Sequence, residues 1–220
     1  MEWLVILVLV GVAGGGAWLF RSRQPARAKA ANVRQLTLES LGPGDVVSLE
    51  MGQFRVVDAV LHCAEEVGPR TTTWQWNFLS DGCLLEVAPD AIVLYERAEV
   101  LHQGEPDFER LTGEGGVLKS FEERVRAGTV GANPVHFDFQ RDRYLVCSTG
   151  TFRPTSTEGP LPGEVWRDIA PTPEDNVYFE MEGPNKEQVL GMWTSHIALL
   201  FGRSLISAEV LGLYPKSDGP

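Results

Sequence analysis

From Trp3 to Phe20 every residue of the chain is apolar or glycine, and no charge falls between Glu2 and Arg21. At about 1.5 Å per residue, a helix of this length reaches roughly 27 Å, close to the ~30 Å hydrocarbon core of a bilayer. Trp3 and Trp18 stand near its two ends, where amphipathic rings favour the interface. Arg21, Arg23, Arg27, Lys29 and Arg34 follow, with no acid before Glu39. The pattern predicts a transmembrane helix over residues 1–23, anchored by Trp3, Trp18, Arg21 and Arg23, and a basic linker over residues 24–37. Positive charge behind the span puts the N-terminus outside and the remaining chain in the cytoplasm, as a single-pass protein of the plasma (inner) membrane. A cleaved signal peptide fits less well, because its basic residues would precede the apolar run. Gly11 and Gly15 have the GxxxG spacing that lets two helices approach, though glycine is common in membrane helices generally.

Beyond the linker the period changes from helical to alternating. Leu41-Gly42-Pro43-Gly44-Asp45 is turn chemistry, followed by expected strands at Val46–Met51 and at Phe54–Leu61, the latter apolar on both faces. Thr71–Leu79 is the clearest strand: Trp74, Trp76 and Phe78 alternate with Thr73, Gln75 and Asn77, so one face is aromatic. An Asp81-Gly82 hairpin signal leads to strands at Cys83–Val87 and Ala91–Tyr95. Residues 103–120 are Gly- and acid-rich, with room for a short helix within Glu109–Thr112 or Val117–Val125. Further strands are expected at Val135–Gln140, Tyr144–Ser148, Val165–Ala170 and Val177–Met181, with a proline-bearing loop over residues 153–163.

The last apolar segment can be read two ways. Val189, Trp193, Ile197 and Phe201 recur every four residues, which suits a helix; Val189–Trp193 and Ile197–Phe201 also suit a hairpin. An internal repeat favours the hairpin. Cys83–Arg97 aligns without gaps on Val189–Arg203, matching Leu84, Leu94 and Arg97 to Leu190, Leu200 and Arg203. The expected fold class is mainly β: an N-terminal transmembrane helix plus a cytoplasmic antiparallel sandwich or barrel-like domain over residues 38–215, built of two related β-units at 38–102 and 117–215.

Charge narrows the partners. Residues 1–34 hold five of the 19 basic and one of the 30 acidic residues, so the remainder carries 14 − 29 = −15. Such a domain repels phosphate backbones, which argues against nucleic acid as a ligand. Three widely spaced cysteines, Cys63, Cys83 and Cys147, make no disulfide framework.

Candidate chemistry is sparse. His62, Cys63, Cys83, His102, His136 and Cys147 lack the close pairing of zinc ligands, so no metal and no cofactor is expected. There is no Gly-x-Ser-x-Gly elbow, and a Cys147–His136 dyad would need chance pairing across strands. Gly113-Glu114-Gly115-Gly116 carries a carboxylate where a phosphate cradle needs bare amides. Glu65-Glu66, Glu122-Glu123 and Glu174-Asp175 read as solvated surface. The one constellation of interest is Trp74, Trp76 and Phe78, either sandwich core or a partner surface; Trp166 and Trp193 pose the same choice.

The order of motifs resembles the bacterial domain-of-unknown-function family 4178 over residues 36–215. It is carried by Leu41-Gly42-Pro43-Gly44-Asp45, Phe54-Arg55-Val56-Val57, the Trp-rich strand with its Asp-Gly turn and Leu84-Leu85-Glu86, then Phe201-Gly202-Arg203 and Glu209–Pro215. The resemblance implies a β-rich domain in two similar halves and supplies no catalytic residues. The resulting expectation is a non-catalytic binding or assembly module at the cytoplasmic face of a bacterial membrane. It would touch lipid through its helix and a protein partner, such as another membrane protein or a second copy, through its domain. The alternative is an enzyme or small-ligand receptor. A deep pocket with converging polar groups would mark an enzyme, and a flat apolar patch an assembly module.

Overall fold

Two five-strand meanders face each other across two seams. A computed structural model describes residues 35–49, 53–169 and 175–216, and residues 36–220 make one compact unit. The first meander is β1 (Val46–Leu49), β2 (Gln53–Val67), β3 (Arg70–Leu79), β4 (Leu84–Ala88) and β5 (Ala91–His102). The second is β6 (His136–Phe139), β7 (Asp142–Glu158), β8 (Asn176–Glu182), β9 (Gln188–Trp193) and β10 (His196–Ser204). Between them lie α1 (Pro106–Thr112) and α2 (Val117–Ala127); α3 (Gly163–Ile169) interrupts the second meander, and β11 (Gly212–Tyr214) returns to pair with β1.

Closure follows from the length of two strands. The first residues of β2 pair with β1, and its later residues, Val60–Ala64, pair with Glu158–Arg153 of β7. β7 in turn gives its first residues to β6 and its middle to β8. With β5 paired to β10 at the other seam, the order β2-β3-β4-β5-β10-β9-β8-β7 closes into an eight-strand antiparallel barrel. Closure removes the exposed edges of the eight barrel strands, while β6 and β11 remain the edge strands of the sheet. The ladders skip one residue at Asp58, Glu96, Cys147 and Thr155, and such bulges bend a strand enough to curl the sheet.

Three apolar clusters follow. Inside the barrel, Ala59, Leu61, Cys63, Trp76, Phe78 and their neighbours pack together, with Ile169 and Trp166 of α3 packed against them at one end. On the outside of the second meander, Phe108 and Leu111 of α1 and Leu118 and Phe121 of α2 cover Phe137, Phe179 and Phe201. α2 is amphipathic by the spacing of Leu118 and Phe121, and it stops at Gly128, whose left-handed φ of 68° L-residues avoid. Outside the first meander, Leu41 and Leu205 help cover Val57, Val60, Leu85 and Leu94. Burial on both sides explains why β2 reads apolar on both faces. The polar alternates of β3 are also covered: Gln75 donates to the Leu38 carbonyl (2.7 Å), and Asn77 donates to the Leu85 carbonyl (3.1 Å).

Several expectations change. The span over residues 1–23, with Trp3, Trp18, Arg21 and Arg23, and most of the linker lie outside the described residues. Among the described residues no helix is long and apolar enough to cross a membrane, and the longest, α2, has 11 residues. The mainly β, barrel-like part of the expectation holds; the fold class is corrected at the helix, and at the sandwich alternative, because both meanders share one closed barrel. The strand expected at Val165–Ala170 is the helix α3, because Trp166 and Ile169, three apart, turn one face to the barrel. The loop expected over residues 153–163 is strand as far as Glu158; Pro154 is accommodated beside the bulge at Thr155. Gln188–Trp193 and His196–Ser204 form a hairpin.

Candidate functional site

The barrel interior carries a dense aromatic assembly that reaches the surface at both ends. Alternation on β3 aims Trp74, Trp76 and Phe78 inward. Trp76 stacks edge-on to Phe152 (centroids 5.0 Å) and Trp166 (5.6 Å), and Phe78 meets Trp166 at 4.6 Å. Trp76 and Phe78 are buried, at 1% and 4% exposure, and Trp74 is half-buried. The aromatic stripe therefore lines the barrel interior, which is the core side of the choice the sequence left open for these three residues. Trp193 packs outside, against Phe108 of α1 (6.5 Å).

At the α3 end the interior opens into a cavity of about 630 Å³. Its walls are the β3–β4 turn, β5, β10 and the segment Pro160–Trp166, with Phe78, Leu84, Tyr95, Trp166 and Leu200 giving it an apolar lining. Polar groups reach it from Asp58, Ser80, Cys83 and Arg97. Burial, more than any charge nearby, pushes the Cys83 thiol up to about 11, so it stays protonated and poorly nucleophilic. Arg97 lies over the Phe201 ring (3.7 Å) and donates to Glu99 and Gln140 (both 3.3 Å).

The opposite end is small and acidic. A recess of about 140 Å³ is lined by Glu65, Glu86 and Glu180 with Trp74, Trp76 and Tyr178. Glu86 projects inward from β4 and accepts a hydrogen bond from the Trp76 indole (2.8 Å). Burial pushes its carboxyl up to about 7, and the Trp76 bond only partly offsets this. The Tyr178 hydroxyl donates to Glu65 (3.0 Å), and the Ser148 hydroxyl donates to Glu180 (2.6 Å). Burial likewise holds the phenols of Tyr95 and Tyr178 well above their ordinary range. A Cβ at Gly150 would stand 2.6 Å from the Tyr178 ring, so only glycine leaves that ring its place.

The sequence-level metal and nucleophile candidates disperse. Cys63 is in the barrel core, Cys83 faces the large cavity, and His62 contacts Glu158 at 3.1 Å. Cys147 occupies a bulge and donates to the Leu145 carbonyl (3.4 Å); His136 sits on β6, opposite Leu145. Among the described residues no group of three or more His, Cys, Asp or Glu could hold a metal. Sequence reasoning missed Glu86 and Glu180. Glu86 is the lone charge of apolar β4, Leu84-Leu85-Glu86-Val87, and that interruption was the available signal; Glu180 shares β8 with Glu182 and carries no such mark.

No protein-family model matches the chain, no curated protein resembles it in sequence, and no solved structure matches its fold. The likeness to family 4178 therefore stands on the quoted motifs alone.

Proposed function

We propose that the domain is a non-catalytic binding module that holds one small, largely apolar molecule in the cavity at the α3 end of the barrel. The observation that carries this reading is the cavity itself. At about 630 Å³ it falls within the roughly 300–1,000 Å³ of small-molecule sites, and its lining is apolar with a few polar groups at the margin. A flat apolar patch would have favoured protein assembly, and converging polar groups an enzyme. An apolar cavity whose thiol stays protonated favours a receptor over either.

The test uses N-phenyl-1-naphthylamine, an uncharged fluorescent probe. Saturable binding of one equivalent, with energy transfer from tryptophan, is expected, and Ala98→Trp should abolish it. Ala98 is exposed on the cavity wall, so an indole there fills the space without displacing core. Unsaturable binding, or binding that Ala98→Trp leaves unchanged in a folded protein, defeats the reading.

A further inference from the structure

His102 ends β5, His196 begins β10, and the two are directly opposite in the ladder. Opposed residues of an antiparallel pair share one face, with Cβ atoms about 4.5–5.5 Å apart. Their ring centres are 6.1 Å apart and their planes are inclined by 50°. The neighbouring rung on the same face, Val100 opposite Ala198, lines the large cavity, so the two imidazoles stand one rung beyond its lining. His102 is exposed and His196 half-buried.

The backbone of His102 and the ring of His196 are each held by a neighbouring polar group. The Glu105 carboxylate accepts the His102 backbone N–H (3.0 Å), and the Glu105 N–H donates to the His102 carbonyl (3.0 Å). The Ser195 hydroxyl lies 2.9 Å from His196 Nδ1. In the tautomer whose Nδ1–H donates to that hydroxyl, Nε2 keeps its lone pair for a metal, the arrangement by which outer groups orient ligating histidines.

We propose that His102 and His196 form a two-imidazole site for a divalent transition-metal ion at the rim of the barrel. A metal about 2.1 Å from a ring nitrogen is roughly 3.2 Å from the ring centre, so two rings can share one ion when their centres are within about 6.4 Å. The observed 6.1 Å lies inside that limit. Rotation that brings the centres to roughly 5.2 Å gives the tetrahedral angle, and the exposed His102 ring has the freedom to make it. Imidazole suits nickel, copper and zinc, and affinity should follow the general order in which nickel exceeds cobalt. The net charge of −15 beyond residue 34 (14 − 29) concentrates cations around the domain. Water fills the remaining coordination positions, which leaves the ion open toward the cavity. The site does not depend on the cavity's being a ligand site, because the ion is titrated alone.

Calorimetric titration of the full chain with Ni²⁺ and with Co²⁺ tests it. One equivalent should bind, nickel more tightly than cobalt. His102→Gln and His196→Gln should each weaken nickel binding at least tenfold, whereas His62→Gln with His136→Gln should not. In the unsubstituted protein, Co²⁺ should shift the imidazole proton resonances of His102 and His196 first. No binding at millimolar ion overturns the proposal, as does undiminished nickel affinity in the His102→Gln/His196→Gln double variant or a first cobalt shift at His62 or His136.

Discussion

Trp76 and Glu86 make one unit, because the indole N–H is a donor to a carboxyl that burial has made hard to ionise. Trp76→Ala removes a fully buried side chain and should destabilise the domain by about 3–5 kcal/mol. Trp76→Phe keeps most of the volume but withdraws the donor, and should cost about 1.5–3 kcal/mol at pH 8, where the carboxyl is charged. Denaturant unfolding of both variants checks this, and equal losses would separate the indole from Glu86. The same carboxyl sets a pH dependence. Its folded value of about 7 lies above the ordinary 4.5, so between those limits the folded state binds more protons than the unfolded one. Its contribution is then complete below about pH 4.5 and is lost as pH rises through about 7, by an amount on the order of 3 kcal/mol. Glu86→Gln should flatten that part of the stability-against-pH curve; an unaltered slope would place the titration elsewhere.

Elements here are shaped by their partners more than by local propensity. Gly202 sits where the β5–β10 ladder skips Glu96, and a Cβ there would lie 2.7 Å from the Tyr95 Cα. Because the obstacle is backbone, Gly202→Ala should cost about 1–3 kcal/mol, and Gly150→Ala, which meets the Tyr178 side chain, should cost less. Thermal unfolding of the two variants would reveal the order, and a reversed order would mean that the seam yields more easily than the ring. The aromatic period of β3 and the Asp-Gly turn after it were readable from local pattern. α3 was not: Val165-Trp166-Arg167-Asp168-Ile169 is too short to distinguish a strand from two helical turns, and the barrel's open end decides between them. The pattern ends this strand at Ser148 and reads residues 153–163 as a loop because of their prolines, whereas a bulge beside the β2 seam tolerates Pro154.

For the whole molecule, closure makes the two meanders interdependent. Each lends one long strand to the other, at β2–β7 and at β5–β10, so neither can complete the interior cluster alone. The full chain should unfold in one cooperative transition. A fragment of residues 36–103 should show no cooperative transition by circular dichroism, since its long strands would expose unpaired edges and its inward aromatic face. A fragment that melted cooperatively would make the halves separable domains joined at their edges.

What the sequence determined alone is local and periodic: the alternation that aims Trp74, Trp76 and Phe78 to one side, the turn residues that space the strands, and the acidity beyond residue 34. The likeness of Cys83–Arg97 to Val189–Arg203 reaches only the two hairpins, β4–β5 and β9–β10: Leu84 and Leu190 both face the interior, but Leu94 packs outside the barrel and Leu200 inside it. The tertiary structure decided what depends on pairing between distant residues. Val60 meets Glu158 and His102 meets His196, each pair more than ninety positions apart. Backbone hydrogen bonds form such ladders whatever the side chains, so no local motif announces them. Closure then turned an aromatic stripe into a lining, left a cavity where α3 does not fill the barrel, and gathered Glu65, Glu86 and Glu180 at the other end. A strand's period says that a residue points to one side; only the closed sheet says that this side is the inside.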